Sequence, residues 1–160
     1  MKAMRWTRGL ALAGCVLLLA ACVGGPVRRV SEPSARIQQL TVRADGSWSA
    51  ELRIENFSSI PMRFDRFDLV LSLGSDEAGR LQGTPAVSIG PESADVIAVN
   101  LRPSGAAKLA VADALVSGRS LSYTLKGSID ATPDEKKQRN FAIDRSSALS
   151  PAPGLPGVLR

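Results

Sequence analysis

Apolar and polar residues alternate one by one through several short segments of this sequence. The clearest is segment 48–54, in which Trp, Ala, Leu and Ile occupy every second position. Because successive side chains of a strand point to opposite faces, this period of two predicts a half-buried antiparallel strand. Asp45 and Gly46 precede it and tolerate the positive φ of a tight turn, so they predict a hairpin with segment 37–43.

The same period continues along the chain. Segment Met62–Leu73 predicts a long strand whose apolar parity changes at Asp65–Arg66, as the extra residue of a β-bulge would cause. Segment Leu81–Ile89 predicts a short edge strand that is interrupted by a Pro. Further strands are predicted at 97–101, at 121–129 and around Phe141 and Ile143, with turns at 74–76 and 90–93 and a polar loop at 130–139.

One segment has a helical period instead. Ser104 can cap a helix and Gly118 stands where a helix ends, which predicts a short α-helix near 105–117. Its buried face is predicted from apolar residues at spacings of three and four: Leu109, Ala112, Leu115 and Val116. About seven short strands with one helix predict a mainly β fold, a two-sheet antiparallel β-sandwich of the fibronectin or immunoglobulin kind. A chain of 160 residues has room for one such domain.

The N-terminus has the features of an export signal. The cations Lys2, Arg5 and Arg8 precede an uncharged apolar segment at 9–19. This segment is shorter than the roughly 20 residues that a membrane-spanning helix needs and has the length of a signal-peptide core. It ends in Leu-Ala-Ala-Cys at 19–22, which resembles the lipobox of bacterial lipoproteins.

The lipobox resemblance implies cleavage between Ala21 and Cys22 and acylation of the Cys22 thiol by a fatty acid such as palmitate. Val23 follows the Cys where Asp would be a retention signal, which resembles Gram-negative lipoproteins that are released to the outer membrane. We therefore expect a lipid-anchored protein of the cell envelope, at the outer membrane and facing the periplasm. An ordinary secretory signal, cut after an Ala-x-Ala-like site, and an uncleaved anchor are the alternatives.

These features divide the chain into four parts. Pro and Gly without hydrophobic periodicity predict a flexible tether before the strands, and a tail with three Pro and two Gly after residue 150 predicts no regular structure. Anionic headgroups would attract Arg28 and Arg29 of the tether, although a solvated linker carries such residues equally well. The predicted parts are the signal peptide at 1–21, the lipid-anchored tether at 22–33, the β-sandwich at 34–147 and the tail at 148–160.

The composition removes several classes of site. The sequence has no His, which is the usual general base near neutral pH and the commonest metal ligand. Its two Cys are Cys15, within the predicted signal, and Cys22, so the mature domain has no thiol. We expect no catalytic residue, no metal and no cofactor. Without the signal, 17 basic residues face 15 acidic ones, a balance that predicts no binding surface for nucleic acid.

Two groups of residues resemble catalytic pairs. One consists of alternating charges on the predicted bulged strand: Arg63, Asp65, Arg66 and Asp68. Such alternation more often forms exposed ion pairs worth about 0–1 kcal/mol each. Ser104 and Lys108 are one helical turn apart, as in Ser–Lys dyads, but no oxyanion-hole signature accompanies them and Ser104 has the simpler role of a cap. The charged run 134–137 is predicted to be a solvated hairpin tip. Trp48 and Tyr123 are predicted to be core or sheet-face residues rather than a platform on which a ligand stacks.

Four stretches, in this order, resemble the WHy domain of the late embryogenesis abundant type 2 family. Asn56–Pro61 stands where the family has an Asn-Pro-Asn turn followed by a Pro, so Asn56 and Pro61 are the residues of the family turn. The bulged strand that ends at Gly74 resembles the family's second long strand. Ser88–Ser93 resembles its Ile-Pro-Pro-Gly-Ser-like turn. Tyr123–Gly127, with Arg139–Phe141 after it, resembles its Tyr-x-Leu-x-Gly and its late basic-aromatic strand.

This resemblance spans residues 33–147 and implies a fibronectin-like sandwich with a helix between strands. It also implies a non-enzymatic protein that binds a partner or protects cell components under desiccation and other stress. The alternative function is a module that carries a lipid or another hydrophobic ligand in a gap between its sheets, lined by Ala86, Val87, Ala94 and Val96. The expected partners are the membrane, through the lipid on Cys22, and proteins of the envelope, and the sequence leaves the oligomeric state open.

Overall fold

A computed structural model describes residues 27–160 of the protein. The predicted signal peptide, the cleavage site at Ala21 and Cys22, and the first residues of the tether lie outside the described residues. Nine strands and one helix follow one another from residue 34 onwards: β1 (Ser34–Val42), β2 (Trp48–Asn56), β3 (Met62–Leu73), β4 (Asp76–Gly83), β5 (Val87–Ile89), β6 (Ser93–Leu101), α1 (Gly105–Ser117), β7 (Leu121–Pro133), β8 (Arg139–Leu149) and β9 (Val158–Leu159).

The strands form two antiparallel sheets that pack face to face. In the first sheet the order is β6, β2, β1, β9, and in the second it is β4, β3, β7, β8, with the short β5 also paired to β3. The predicted fold class, a mainly β two-sheet sandwich with one helix, is confirmed. The described residues contain more strands than predicted because the segment around Pro85 forms two strands and the tail forms a further one.

Local sequence signals place the hairpin and the bulge correctly. Gly46 has a φ of +77°, and the N–H of Arg43 donates to the Ser47 carbonyl at 2.9 Å, which closes the β1–β2 turn. Every second residue of β2 is buried, as the alternation predicts. The pairing of β3 with β7 shifts register between Phe64 and Arg66, where the parity change predicts a bulge.

Several strands are longer than their sequence pattern predicts, and β4 and β7 show the reason. β4 begins at Asp76, five residues before the predicted start at Leu81, because residues 76–83 pair with β3 directly after the turn. β7 continues to Pro133, past the predicted end at Ile129, because β3 provides pairing partners along its full length. Backbone pairing with a long neighbour thus extends strands into polar sequence that carries no apolar alternation.

The helix has the predicted bounds but a different buried face. The Ser104 hydroxyl accepts a hydrogen bond from the Ala107 N–H at 3.2 Å, and Gly118 ends the helix in the left-handed conformation with a φ of +68°. The buried residues are Ala107, Val111 and Ala114, whereas Leu109 and Val116 are 74% and 90% exposed. The predicted face is therefore wrong, apart from the partly buried Leu115. Apolar residues of the helix lie on its exposed side as well as on its buried side, so their spacing does not identify the buried face. The small side chains of the buried face allow the helix backbone to approach the sheet.

A continuous apolar core lies between the two sheets. Its largest fully buried side chains include Trp48, Phe64, Phe67 and Tyr123, so the prediction that Trp48 and Tyr123 are core residues is confirmed. The Tyr123 hydroxyl accepts from the Ile37 N–H at 3.0 Å. Ile37 adjoins the register shift of β1, so the hydroxyl from the second sheet satisfies a backbone group where the first sheet is irregular.

The C-terminal tail forms regular structure, contrary to the prediction. β9 pairs with Leu40 and Thr41 of β1, and Leu159 is fully buried. Ser150 and Arg160 exchange both backbone hydrogen bonds, which closes the tail into a loop. The physical reason is the free edge of β1, whose unpaired backbone groups are satisfied by the returning chain. No helix in residues 27–160 has the length and apolar character needed to cross a bilayer.

Candidate functional site

Four segments meet at one end of the sandwich, which we call the tether end. They are residues 27–33, the β2–β3 turn at 57–61, the β5–β6 turn at 90–92 and the β7–β8 turn at 134–138. The opposite end, which we call the helix end, consists of α1, the β1–β2 turn at 43–47 and the β3–β4 turn at 74–75. Because β2 runs from one end to the other with nine residues, the ends are separated by about 30 Å.

Asn56, one of the two predicted turn residues, is a buried polar residue at the tether end. Its Nδ2 donates to the carbonyl groups of Ile60 at 2.9 Å, Ile89 at 3.1 Å and Gly90 at 2.9 Å. Its Oδ1 accepts from the Ser58 N–H at 2.9 Å. One amide side chain that is 1% exposed therefore joins the β2–β3 turn to the β5–β6 turn. Pro61, the other predicted residue, is exposed, and its carbonyl accepts from the Asp134 N–H at 2.9 Å.

Two serines attach the tether to the domain. The Ser58 hydroxyl accepts from the Ser31 N–H at 2.9 Å, and the Ser59 hydroxyl accepts from the Arg29 N–H at 2.8 Å. The Ser59 hydroxyl also donates to the Val27 carbonyl at 2.5 Å, and the Ser59 N–H donates to the Arg29 carbonyl. The described part of the tether, residues 27–33, is therefore docked on the domain, whereas the composition predicts a flexible linker.

Arginines of the docked tether form ion pairs with two turns. Arg28 lies 3.2 Å from Asp134 and 3.1 Å from Glu135, so the predicted hairpin tip also binds the tether. Arg29 lies 3.7 Å from Glu92. All these side chains are at least 45% exposed, so each pair contributes about 0–1 kcal/mol.

Two of these acidic partners have an unusual backbone conformation. Glu92 and Glu135 have φ values of +48° and +56°, in the left-handed region that L residues with a side chain seldom adopt. Each such residue costs about 1–2 kcal/mol relative to its right-handed conformation. The two turns that carry the carboxylates towards the tether are therefore held in place by the surrounding contacts.

A surface groove of about 500 Å³ opens at the tether end. Its lining combines the cations Arg29 and Arg53, the anions Glu55 and Glu92, and Phe57, which is 48% exposed. Arg53 is already paired with Glu55 at 2.9 Å. The groove is lined by charged, aromatic and small polar or apolar side chains, which can form ion pairs and apolar contacts with a bound molecule. These residues are Arg29, Arg53, Glu55, Asn56, Phe57, Glu92, Ser93 and Ala94.

The predicted carboxylate group forms separate ion pairs. Asp65 accepts from the Arg63 Nε at 2.6 Å and from the Thr132 hydroxyl at 2.6 Å. Burial raises the pKa of Asp65, but the hydrogen bonds from Thr132 and Arg63 outweigh this effect and hold the pKa below its usual value. Asp68 lies 3.0 Å from the Arg80 Nε instead. Each carboxylate thus has its own partners, as expected for ion pairs on a strand.

The predicted Ser–Lys pair is also structural. The Ser104 hydroxyl donates to the Glu77 carbonyl at 2.8 Å and caps α1 through the Ala107 N–H. The Lys108 amino group lies beside Gly46 in the β1–β2 turn. Within residues 27–160, no group of three or more His, Cys, Asp and Glu is placed to hold a metal ion.

Three of the four residues predicted to line a ligand gap do not face the core: Ala86, Ala94 and Val96. Ala86 and Val96 are exposed, whereas Val87 and Ala94 are only partly buried. On β6 the side chains opposite the buried residues of β2 are Ile97, Val99 and Leu101, so Val96 lies on the other face. The prediction that these residues line the space between the sheets is therefore wrong for Ala86, Ala94 and Val96, whereas Val87 packs against the core.

The sequence model of one family covers most of this architecture. The LEA_2 family, described as late embryogenesis abundant protein, matches residues 51–146, from β2 to β8. The chain belongs to the LEA_2 family. The resemblance predicted from the sequence is thus confirmed, and membership indicates a stress- or desiccation-related, non-enzymatic protein. No curated protein matches this LEA_2 chain in a sequence search.

Solved structures that resemble this LEA_2 protein share little sequence with it. The solution structure of the late embryogenesis abundant (LEA) protein At2g46140.1 is 14% identical, covers 98% of this chain and 86% of its own, and has a TM-score of 0.46. The solution structure of AT1g01470 from Arabidopsis thaliana is 15% identical, covers 82% and 85%, and has a TM-score of 0.44. A crystal structure of a protein from Archaeoglobus fulgidus is 12% identical, covers 78% and 98%, and has a TM-score of 0.39.

The structure gives physical roles to the stretches that resemble the family. The Asn56 side chain brings two of them together, since it bonds the carbonyl of Gly90 in the Ser88–Ser93 turn. Gly127, the last residue of Tyr123–Gly127, has a φ of +151° and faces β3, where a Cβ would overlap the backbone oxygen of Asp68. Only Gly fits at this close approach of two strands. These long-range contacts do not follow from the local alternation of the sequence.

Proposed function

We propose that this LEA_2 protein is a lipid-anchored, non-catalytic protein of the cell envelope that protects other components during desiccation or related stress. Membership of the family is the observation that carries the protective part of the proposal. The lipobox-like sequence that ends at Cys22 supports the anchor, and Val23 after it supports the outer membrane. The domain would act by contact, because its candidate groove offers ion pairs and an aromatic side chain without a nucleophile and base.

The outer face of the first sheet supports an action by surface contact. Ser49, Glu51, Arg53 and Glu55 alternate with the buried residues of β2, so they point away from the core. These side chains are only partly buried and can hydrogen-bond to a partner or to retained water. In this proposal the protective surface is this folded polar face, which the apolar core keeps in place.

The anchor is tested by labelling cells that express the full chain with a radioactive fatty acid. We expect label on the wild type and on Cys15→Ala, which changes the only other thiol, and no label on Cys22→Ala. Label on Cys22→Ala, or none on the wild type, would contradict the lipid anchor. Membrane separation of the same cells then locates the wild type at the outer membrane or contradicts that assignment.

The protective role is tested on a drying-sensitive enzyme. The purified protein and an unrelated soluble protein of similar mass are each dried with the enzyme at equal concentration, and activity is measured after rehydration. We expect greater recovery with the LEA_2 protein. At a temperature at which the Asn56→Ala variant is unfolded and the wild type is still folded, we expect the variant to give less recovery than the wild type. Equal recovery with both proteins would remove the protective role and leave the anchor proposal intact.

A further inference from the structure

The docking of residues 27–33 limits how far the domain can lie from an anchored Cys22. Val27 is held at the tether end through its carbonyl, which accepts from the Ser59 hydroxyl at 2.5 Å. Five residue steps separate Cys22 from Val27, and an extended chain covers at most about 17 Å over that length. The helix end is about 30 Å away along β2. An anchored chain with this docked segment therefore keeps the tether end within about 17 Å of the bilayer, whereas no such limit holds the helix end there.

Exposed apolar side chains lie where this geometry places the lipid. Phe57, in the β2–β3 turn, is 48% exposed, and Val27 is 80% exposed. Arg29 connects the two positions because its Nη2 donates to the Phe57 carbonyl at 3.2 Å. An aromatic ring beside cations suits the interface of a bilayer, where the ring meets the acyl boundary and the guanidinium meets phosphate oxygens.

The helix end also exposes apolar side chains, Leu109 and Val116, but the reach of the chain holds only the tether end, not the helix end, next to the bilayer. Lys108, next to Leu109, lies beside Gly46 in the β1–β2 turn, which places this part of α1 at the far end of β2. These residues would approach lipid only if the domain lay flat on the bilayer or if residues 27–33 left the domain. Contact of the bilayer with the exposed residues of the tether end and contact with those of the helix end therefore correspond to different orientations of the domain on the membrane.

We propose that the docked segment 27–33 presents the tether end to the bilayer surface, with the Phe57 side chain at the level of the lipid headgroups. This proposal rests on the proposed lipid anchor at Cys22. The domain then stands with β2 directed away from the membrane and with the helix end farthest from it. The partner of this surface is a phospholipid bilayer, and Arg29 of the docked segment, whose side chain is 60% exposed, meets its phosphate groups.

The test uses introduced Trp side chains as depth reporters in the full, lipidated protein. Phe57→Trp and Leu109→Trp are reconstituted into vesicles of phosphatidylethanolamine and phosphatidylglycerol, with and without bromine on the acyl chains near the headgroup. Trp48 is 1% exposed and is present in both variants, so its signal is measured in the protein without substitutions and subtracted. We expect bromine to quench the reporter of Phe57→Trp at least twofold more than the reporter of Leu109→Trp.

Two results would overturn the orientation. Equal quenching of the two reporters, or stronger quenching of the reporter in Leu109→Trp, in protein that floats with the vesicles would show that the tether end does not face the lipid. Protein that does not float would instead contradict the anchor itself, and the orientation would fall with it. Addition of Ser59→Ala to each reporter variant removes the hydroxyl that holds Val27 and Arg29, and we expect it to reduce the difference between the reporters.

Discussion

At the tether end, buried polar side chains join three segments of the chain and exposed ion pairs hold the β7–β8 turn as a fourth, whereas at the helix end small apolar side chains pack one helix on a sheet. Asn56 alone bonds three carbonyl groups and one N–H from two turns. At the helix end the contacts of α1 with the core come from Ala107, Val111 and Ala114. Polar contacts have fixed directions and apolar contacts do not.

This difference explains why only one end can hold the tether in a defined position. The hydroxyl groups of Ser58 and Ser59 meet individual backbone groups of residues 27–33 at hydrogen-bond distance. α1, by contrast, carries apolar side chains on its exposed side as well as on its buried side, and its exposed Leu109 and Val116 have the same chemistry as its buried Val111. Substitutions at the two ends should therefore differ in both size and cause.

The largest effect is expected for Asn56→Ala at the tether end. The substitution removes the side-chain amide that donates to the buried carbonyl groups of Ile60, Ile89 and Gly90. Each buried polar group left without a hydrogen bond lowers the free energy of unfolding by about 1–3 kcal/mol. We expect the free energy of unfolding to fall by about 3 kcal/mol, measured by denaturant titration. Asn100→Ala, at an exposed position of β6, is the matched control and should change stability by less than about 0.5 kcal/mol. Equal losses for both variants would refute the role of Asn56.

The next effect separates the two faces of α1 at the helix end. Val111→Ala removes two methyl groups from a side chain that is 2% exposed, and we expect a loss of about 2 kcal/mol in the free energy of unfolding. Val116→Ala makes the same change at a position that is 90% exposed and should leave stability within about 0.5 kcal/mol of the wild type. A larger loss for Val116→Ala than for Val111→Ala would mean that α1 is rotated towards the face predicted from its spacing.

Gly substitutions are expected to have a smaller effect on stability, and the difference between Gly and Ala variants should have opposite signs at the two ends. Glu92→Gly and Glu92→Ala both remove the carboxylate that faces Arg29, so they differ in backbone preference alone. Because Glu92 has a φ of +48°, the Gly variant should be more stable than the Ala variant by about 1 kcal/mol. At Glu77, within β4 at the helix end, the Gly variant should be less stable than the Ala variant by about 0.5–1 kcal/mol. The comparison is made by thermal and denaturant unfolding, and the same sign at both sites would contradict the strained turn.

Local patterns in the sequence predict those structural features that depend on residues close together in the chain. The β1–β2 hairpin, the bulge near Asp65 and both ends of α1 follow from turn residues, parity and caps that lie within a few positions of one another. The buried face of α1 does not follow, because apolar residues occur on every side of it and only the packing selects Val111 over Val116.

Contacts between distant parts of the chain are the part that local patterns miss. The tail forms β9 because β1 has a free edge, and that edge exists only once the sheet has formed. The tether is docked because Ser58 and Ser59, about 30 positions away, carry hydroxyl groups at the right place. The resemblance to the family located Asn56 and Pro61, but the partners of Asn56 across the β5–β6 turn required the structure.

The smallest predicted effect concerns acid and again compares the two ends. The pKa of Asp65 is held below its usual value of 3.8, since the hydrogen bonds from Thr132 and Arg63 outweigh the effect of burial, which raises it. A carboxyl group whose pKa is lower in the folded state stabilises the fold above its unfolded pKa, and this contribution is lost as the pH falls below that value. We therefore expect stability to decrease below about pH 4, and to decrease less in Asp65→Asn, when unfolding is measured between about pH 7 and pH 2.

Asp45, in the β1–β2 turn at the helix end, provides the comparison for this acid effect. Its pKa is also lowered, by hydrogen bonds from the side chain and backbone of Ser47, but it lies in an exposed turn and its partner is only two residues away. Such a local contact can persist in the unfolded chain, so folding changes the proton affinity of Asp45 less than that of Asp65. Asp45→Asn should reduce the loss of stability in acid less than Asp65→Asn does. Thr132→Val removes the hydroxyl donor 67 positions from Asp65, so it should reduce this loss of stability as Asp65→Asn does. If Asp45→Asn had the larger effect, the acid dependence would originate in the local turn rather than in contacts made on folding.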